Sequence, residues 1–187
     1  NVTITGTGLV TLTETKTLHE ITVTSESGNS RTYKLTIIKV KDTTTVNDII
    51  SKLSVKTNDT LMFNISPGTL VSTLIQSINK QNSNAIVNIY ESSGSASSSS
   101  DLIKTNQKIK ITVPSGESRT YTLIVTGDTS GDGKVTILDL LQLQKHLLGS
   151  SVLNSIQLKS ADTNLDGTTN ILDLLRIQKH ILGSIRL

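Results

Sequence analysis

Apolar and polar residues alternate with period two through the first forty positions. Val2 and Ile4, then Leu9-Val10-Thr11-Leu12, then Ile21-Thr22-Val23 are short runs of strand character, rich in β-branched residues. Ser25-Glu26-Ser27-Gly28-Asn29 supplies turn residues, and Arg31–Val40 reads as a return strand, so Glu20–Val40 is expected to form a β-hairpin. A hairpin alone buries too little surface to stand by itself, so this region must pack on something. After Thr43 the period changes. Thr43-Thr44-Thr45 can cap a short helix, Val46–Leu53, with Val46, Ile49, Ile50 and Leu53 on one face. Leu61–Ile65 returns to strand, Pro67-Gly68-Thr69 turns, and Leu70–Asn79 reads as a helix with Leu70, Val71, Leu74, Ile75 and Ile78 inward. Ala85–Tyr90, Lys108–Val113 and Arg119–Thr126 are further strands, and the serine-rich stretch Ser92–Ser100 is expected to be a mobile loop. Two helices follow, Ile137–Leu148 and Ile171–Leu182. In the first, Leu140, Leu141, Leu143, Leu147 and Leu148 cover more than one face, so most must be core between the helices.

Two internal repeats organise this pattern. The stretch Ser27-Gly28-Asn29-Ser30-Arg31-Thr32-Tyr33-Lys34-Leu35 recurs 88 residues later as Ser115-Gly116-Glu117-Ser118-Arg119-Thr120-Tyr121-Thr122-Leu123. That offset is a usual size for one β-sandwich unit. The Arg-Thr-Tyr-x-Leu strand resembles the last strand of cadherin-like or immunoglobulin-like bacterial surface repeats. Tyr33 and Tyr121 are expected to be core aromatics with the hydroxyl at the rim.

The second repeat has an offset of 34 residues. Asp128-Thr129-Ser130-Gly131-Asp132-Gly133-Lys134-Val135-Thr136-Ile137-Leu138-Asp139 is matched by Asp162-Thr163-Asn164-Leu165-Asp166-Gly167-Thr168-Thr169-Asn170-Ile171-Leu172-Asp173. Oxygen side chains occupy loop positions 1, 3, 5, 9 and 12 in both copies, with glycine at position 6. That is the layout of an EF-hand loop, in which alternate residues point oxygens at a hard cation wanting six to eight of them. The first set is Asp128, Ser130, Asp132, the carbonyl of Lys134, Thr136 directly or through a water, and Asp139. The second is Asp162, Asn164, Asp166, the carbonyl of Thr168, Asn170 and Asp173. Two Ca²⁺ ions are therefore expected. Gly133 and Gly167 stand where the chain turns sharply, which favours a residue tolerant of positive φ. Asp139 and Asp173 lie in the first turn of the exiting helices, near the positive end of the helix dipole. Ser130 is a weaker donor than Asn164, so the first site is expected to bind less tightly. A lone Asp/Gly-rich turn often binds nothing. Here two copies stand in register, each before an apolar helix, and the likeness extends through Ile-Leu-Asp-Leu-Leu and Gln-Lys-His, which ligand geometry alone does not demand.

Paired calcium loops, each with an exiting helix only and each closed by Asp, resemble the dockerin module over Gly127–Leu187. The resemblance implies an all-α module that binds cohesin modules. In that family the partner is read at the two residues before the closing Asp and further along the helix. Those positions are Ile137, Leu138, Gln144 and Lys145, and in the second copy Ile171, Leu172, Gln178 and Lys179. The Ile-Leu pair is more apolar than the small polar pairs of many dockerins. The matching of the copies implies binding in either of two orientations related by about 180°.

The expected fold is therefore multidomain. Residues 1–41 are a β-rich segment, the end of a preceding repeat or part of the next module. Residues 42–126 form a mainly-β module, either an Ig/cadherin-like sandwich or a small α+β fold, and 127–187 form the dockerin. Strand Tyr121–Thr126 leads through Gly127 straight to Asp128 without a flexible tether, so the two modules should share an interface and act as a dyad.

Composition removes several alternatives. The 187 residues include no cysteine, which excludes disulfides and a thiol nucleophile. The net charge of +3 is mild and aromatic residues make up only 2%, which argues against a nucleic-acid groove with stacking residues. No apolar run approaches membrane-spanning length. The chain opens inside a strand-like stretch without the pattern of a signal peptide, and reads as a C-terminal piece of a longer extracellular protein. His19, His146 and His180 are the only histidines, and the last two occupy equal places in the repeat, which fits a repeated surface better than a catalytic pair. No G-x-S-x-G, Walker or HExxH motif and no paired carboxylates outside the loops are found, so no catalytic residue is expected.

Two roles remain. One is a non-catalytic docking module that assembles or anchors an extracellular protein, as in a cellulosome. The other is an adhesive stalk in which the calcium module clamps β repeats that bind carbohydrate or host protein. The stalk predicts Ile137, Leu138, Ile171 and Leu172 buried against the β module; the docking module predicts at least one pair exposed.

Overall fold

A computed structural model describes residues 2–8, 16–39 and 41–187. The chain divides into two compact units, residues 1–43 and 44–187. The expected strand at Leu9–Leu12 lies outside the described residues, as does Val40.

In the first unit, β1 (Thr3–Thr5), β2 (Lys16–Thr24) and β3 (Ser30–Ile38) form an antiparallel sheet in that order. The expected hairpin is β2–β3, closed by a turn in which Gly28 has φ of 85°. Cross-strand pairs set its polar face: the hydroxyls of Thr22 and Thr32 are 3.0 Å apart, and Lys34 Nζ lies 3.2 Å from Glu20 Oε1. Registry puts Ile4, Ile21, Val23, Tyr33 and Leu35 on the opposite face. Here the structure corrects the expectation for Tyr33. It is 49% exposed, because no second layer of the described unit covers this face.

The second unit begins with α1 (Val46–Ile50), followed by β4 (Lys56–Thr57), β5 (Leu61–Ile65), α2 (Val71–Asn79), β6 (Ile86–Tyr90), β7 (Lys108–Thr112) and β8 (Ser118–Val125). Thr45 caps α1 through a reciprocal box with Asp48, whose N–H donates to Thr45 Oγ1 at 3.1 Å. The helix is shorter than expected; Lys52 and Leu53 continue as single turns. The strands form one sheet in the order β4-β5-β8-β7-β6, with β5 parallel to β8 and the other pairs antiparallel. Val46, Ile49, Val71, Leu74 and Ile78 of the helices share a core with Ile109, Ile111, Tyr121 and Leu123 of the strands. Residues 44–126 thus form a single mixed sheet with two helices, the small α+β form of the two expected.

Two expectations change here. Leu70 is exposed rather than inward, because it is the extended N-cap residue of α2 (φ −79°, ψ 150°) and lies off the helix face. The serine-rich stretch is tied down rather than free. Ser97 N–H donates to Ile89 O at 2.9 Å, and the carbonyls of Asp101 and Ser99 accept from Val71 and Ser72 at 2.9 and 3.0 Å. Those are N–H groups that the start of α2 leaves without helical partners.

Three helices complete the unit: α3 (Ile137–Leu147), α4 (Ser155–Ala161) and α5 (Ile171–Ile181). Leu143, Leu153, Ala161 and Ile177 are buried between them, with Leu140 and Leu147 packed on that cluster. Leu141 and Leu148, by contrast, are exposed. The sequence reading missed α4, whose signal is the capping pair Asn154 and Gln157: Gln157 N–H donates to Asn154 Oδ1 at 3.0 Å. Among the described residues no helix is long and apolar enough to cross a membrane.

Candidate metal loops and docking face

Each loop is built around two buried carboxylates, one at either end. In the first, Asp128 and Asp139 are both fully buried. Asp128 Oδ1 accepts N–H bonds from Gly131 at 2.8 Å and Asp132 at 3.0 Å, and Oδ2 accepts from Gly133 at 3.1 Å. A fourth donor comes from outside the loop, the N–H of Thr105 at 2.9 Å. Asp139 Oδ1 accepts from Ser130 N–H and its Oδ2 from Thr136 N–H, both at 2.8 Å. The second bond is half of a capping box, so one carboxylate both closes the loop and starts α3. Gly133 has φ of 83° and Gly167 of 87°, the left-handed turn the sequence called for.

The second loop repeats the plan. Asp162 accepts N–H bonds from Asp166 at 3.1 Å and Gly167 at 3.2 Å. Asp173 accepts from Thr163 at 2.9 Å and, in the capping box of α5, from Asn170 at 3.0 Å. Leu165 takes φ of 60° where the first copy has Gly131 at 79°, so the second loop holds a side chain in a conformation that favours glycine.

The remaining predicted donors lie in loop order. Asp132 and Asp166 are exposed, each receiving an N–H two residues ahead at 2.8 Å, from Lys134 and Thr168. Hydrogen bonds from the Thr168 side chain and main chain, and from Asn164, hold Asp166 below the ordinary carboxylate range. Ser130 and Asn164 stand at position 3; Asn164 Nδ2 donates to Asp166 Oδ2 at 2.7 Å. Thr136 and Asn170 serve as N-caps, accepting from Leu138 and Leu172 at 3.2 and 2.8 Å. Among the described residues no three acidic or imidazole groups close on a single point.

The donor chemistry nevertheless fits a hard divalent cation. Every side-chain donor in both sets is oxygen, and the first loop places two buried carboxylates where no Lys, Arg or His of the described residues pairs with them. Burial pushes the Asp128 carboxyl above its ordinary value; the N–H groups of Thr105 and Gly133 oppose this, and the nearby Asp139 charge adds to it. A bound cation reverses that penalty. The second loop already has one cation beside it, Lys159 Nζ, 3.1 Å from Asp162 Oδ2.

The first loop is flanked by α4 as well as by the sheet module, and α4 bonds to both. Gly127 N–H donates to Ser160 O at 2.8 Å, and Ser160 Oγ donates to Val125 O at 2.7 Å. Gln157 Nε2 donates to Thr129 O at 3.1 Å, and Lys159 Nζ stands 4.5 Å from the centre of the Phe63 ring.

The eight predicted contact residues are all exposed. Ile137 and Ile171 are each 64% exposed, and Leu138 and Leu172 are 56% and 55% exposed. At 100° per residue, Ile137, Leu138, Gln144 and Lys145 fall within about a third of the helix circumference. That face also carries Leu141 and Leu148, matched by Leu175 and Leu182, all exposed. The sequence reading missed these as contacts, although Leu141 is four residues beyond Ile137 and so on its face. His146 and His180 are half-buried rather than on the shared surface; His146 Nδ1 accepts from Leu153 N–H at 3.4 Å.

No curated protein matches the chain. Both loops, both equivalent helices and α4 fall within residues 126–182, which match the family model described as the dockerin type I domain, so this part of the chain is a dockerin type I domain, a module of calcium-dependent protein–protein docking, standing after a β-stranded region.

Proposed function

We propose that the chain is a non-catalytic docking element of an extracellular protein, in which residues 127–187 hold two Ca²⁺ ions and bind a cohesin-type module. The first ion would be held by Asp128, Ser130, Asp132, the Lys134 carbonyl, Thr136 and Asp139, and the second by Asp162, Asn164, Asp166, the Thr168 carbonyl, Asn170 and Asp173. Bound calcium would supply the positive charge that Asp128 and Asp139 lack and would add to that of Lys159 beside Asp162. The chain's own part is to hold the starts of α3 and α5 through Asp139 and Asp173, which belong to loop and helix alike.

The observation that carries this reading is the equal exposure of the two apolar helix faces. Isolated exposed Leu or Ile residues need no explanation, but two matched rows beside two matched loops do. The adhesive stalk requires Ile137, Leu138, Ile171 and Leu172 to be buried, and all four are exposed. Gln144, Lys145, Gln178 and Lys179 extend the rows with polar groups suited to the rim of an interface. The bonds from Thr105 to Asp128 and from Ser160 to Val125 support treating the α+β module and the dockerin as one dyad.

Titration of the full chain against a panel of cohesins tests the proposal. One-to-one binding in calcium, abolished by a chelator, is expected. Absence of binding to every cohesin class in calcium would refute it.

A further inference from the structure

The sheet of the first unit repeats three strands of the second in the same pairing order and, for β2–β3 and β7–β8, the same register. In β2–β3, Thr24 stands opposite Ser30, Val23 opposite Arg31 and Ile21 opposite Tyr33. In β7–β8, Thr112 stands opposite Ser118, Ile111 opposite Arg119 and Ile109 opposite Tyr121. Every one of these residues is displaced by 88 positions. The turns agree as well: Gly28 N–H donates to Ser25 O and Gly116 N–H to Val113 O, each at 2.9 Å. So do the hydroxyl pairs, Thr24 with Ser30 at 2.8 Å and Thr112 with Ser118 at 3.0 Å. The likeness extends to a third strand. Ile4 of β1 stands opposite Val23 as Val87 of β6 stands opposite Ile111.

What covers the two sheets differs. In the second unit, β5 lies parallel on the outer edge of β8, with Met62 opposite Leu123 and Ile65 opposite Val125. Helices α1 and α2 seal the apolar face, and Tyr121 and Leu123 are buried. In the first unit, the equivalent Tyr33 and Leu35 are 49% and 45% exposed, and the outer edge of β3 is unpaired among the described residues. An open apolar face beside an open strand edge is a surface that proteins normally cover.

We infer that this face and edge are the docking surface for a second helix–strand–helix segment of the kind residues 44–79 supply, entering directly ahead of β1. The covered copy states the chemistry of the occupant: a strand running parallel to β3 against Lys34, Leu35 and Ile37, and two short helices presenting Val, Ile and Leu. It also states the order. In the second unit α2 ends at Asn79 and β6 starts at Ile86, so the covering segment immediately precedes the first of the three strands. Residues 44–79 of the same chain are already engaged on β8, and a second copy would have to vacate its own sheet to supply them.

The test compares the full chain with the same chain carrying a duplicate of residues 44–83 ahead of Asn1. Nitration mapped by mass spectrometry reads Tyr33 apart from Tyr90 and Tyr121, and amide exchange reads β3. In the extended chain Tyr33 should become as unreactive as Tyr121, and the outer-edge amides of β3 should slow by at least about tenfold. Leu35→Lys should abolish that protection while leaving the melting of the unextended chain unchanged. Tyr33 remaining as reactive in the extended chain as in the original would overturn the inference. Should the extended chain fail to fold, the original chain still decides. Tyr33 must react readily at every protein concentration; protection in dilute monomer, or protection rising with concentration, assigns the face to another occupant.

Discussion

The two repeated loops share a sequence plan but not a neighbourhood. Asp128 takes one of its four N–H donors from Thr105, in the sheet module, and Gly133 lies close enough to that module that a Cβ would stand 2.7 Å from Ile103 O. Asp162 takes its outside partner from Lys159 on α4, and a Cβ on Gly167 would meet open space. One loop is cast against a preformed wall; the other must hold its own shape. Donor chemistry alone ranked the first site as weaker, because Ser130 is a poorer ligand than Asn164. The surroundings work the other way, since a loop held in place loses less conformational freedom on binding.

The largest effect that can break this comparison is removal of metal from both loops. Structural metal sites contribute folding free energy, so chelation, or Asp139→Ala with Asp173→Ala, should erase most of the ordered α5 signal in amide exchange. Cohesin binding should fall at least about a hundredfold. In the chelated protein the first loop should keep more protection than the second; equal loss from both would dissolve the distinction.

Next come the position-6 glycines. Gly167→Ala meets only the left-handed backbone cost, about 1–2 kcal/mol. Gly133→Ala meets that cost and a backbone oxygen that cannot move aside. Thermal melting should therefore drop further for Gly133→Ala, and a reversed order would show that the wall does not constrain the first loop.

A smaller effect separates the seam from the loops. Ser160→Ala removes a buried 2.7 Å bond to Val125 O, worth about 1 kcal/mol. It should lower the melting temperature by a few degrees and weaken calcium binding at the first loop more than at the second.

The smallest expected change concerns the contact face. Ile137→Ala with Leu138→Ala should leave stability within about 0.5 kcal/mol, because both side chains are exposed. Cohesin affinity should survive, since α5 presents the matching row, and should collapse only when Ile171→Ala and Leu172→Ala are added. Strong loss from the first pair alone would refute use of either face.

The loops were the most legible part of the chain because their signal is local. The alternating oxygen side chains, the turn glycine and the closing aspartate all fall within twelve residues, and the capping boxes at Thr136 and Asn170 use the same positions. Tyr33 and Tyr121 show where local reading stops. Their strands share Arg-Thr-Tyr-x-Leu and the same pairing register, yet one is exposed and the other buried, because burial depends on elements the motif does not contain. The serine run failed for a related reason. Its composition reads as loop, but the carbonyls of Ser99 and the adjoining Asp101 complete N–H groups that the start of α2 leaves without helical partners, a demand set by the helix rather than by the serines. Helix α4 was missed because it is one short element between two repeats, and periodicity needs more turns than it offers.

Calorimetric titration of calcium into the metal-free full chain, with cohesin binding measured at each step, joins the two loops and the docking face in one experiment. Two ions per chain and a docking affinity that appears as they bind are expected. Uptake of one ion or none, or cohesin binding indifferent to calcium, would contradict it.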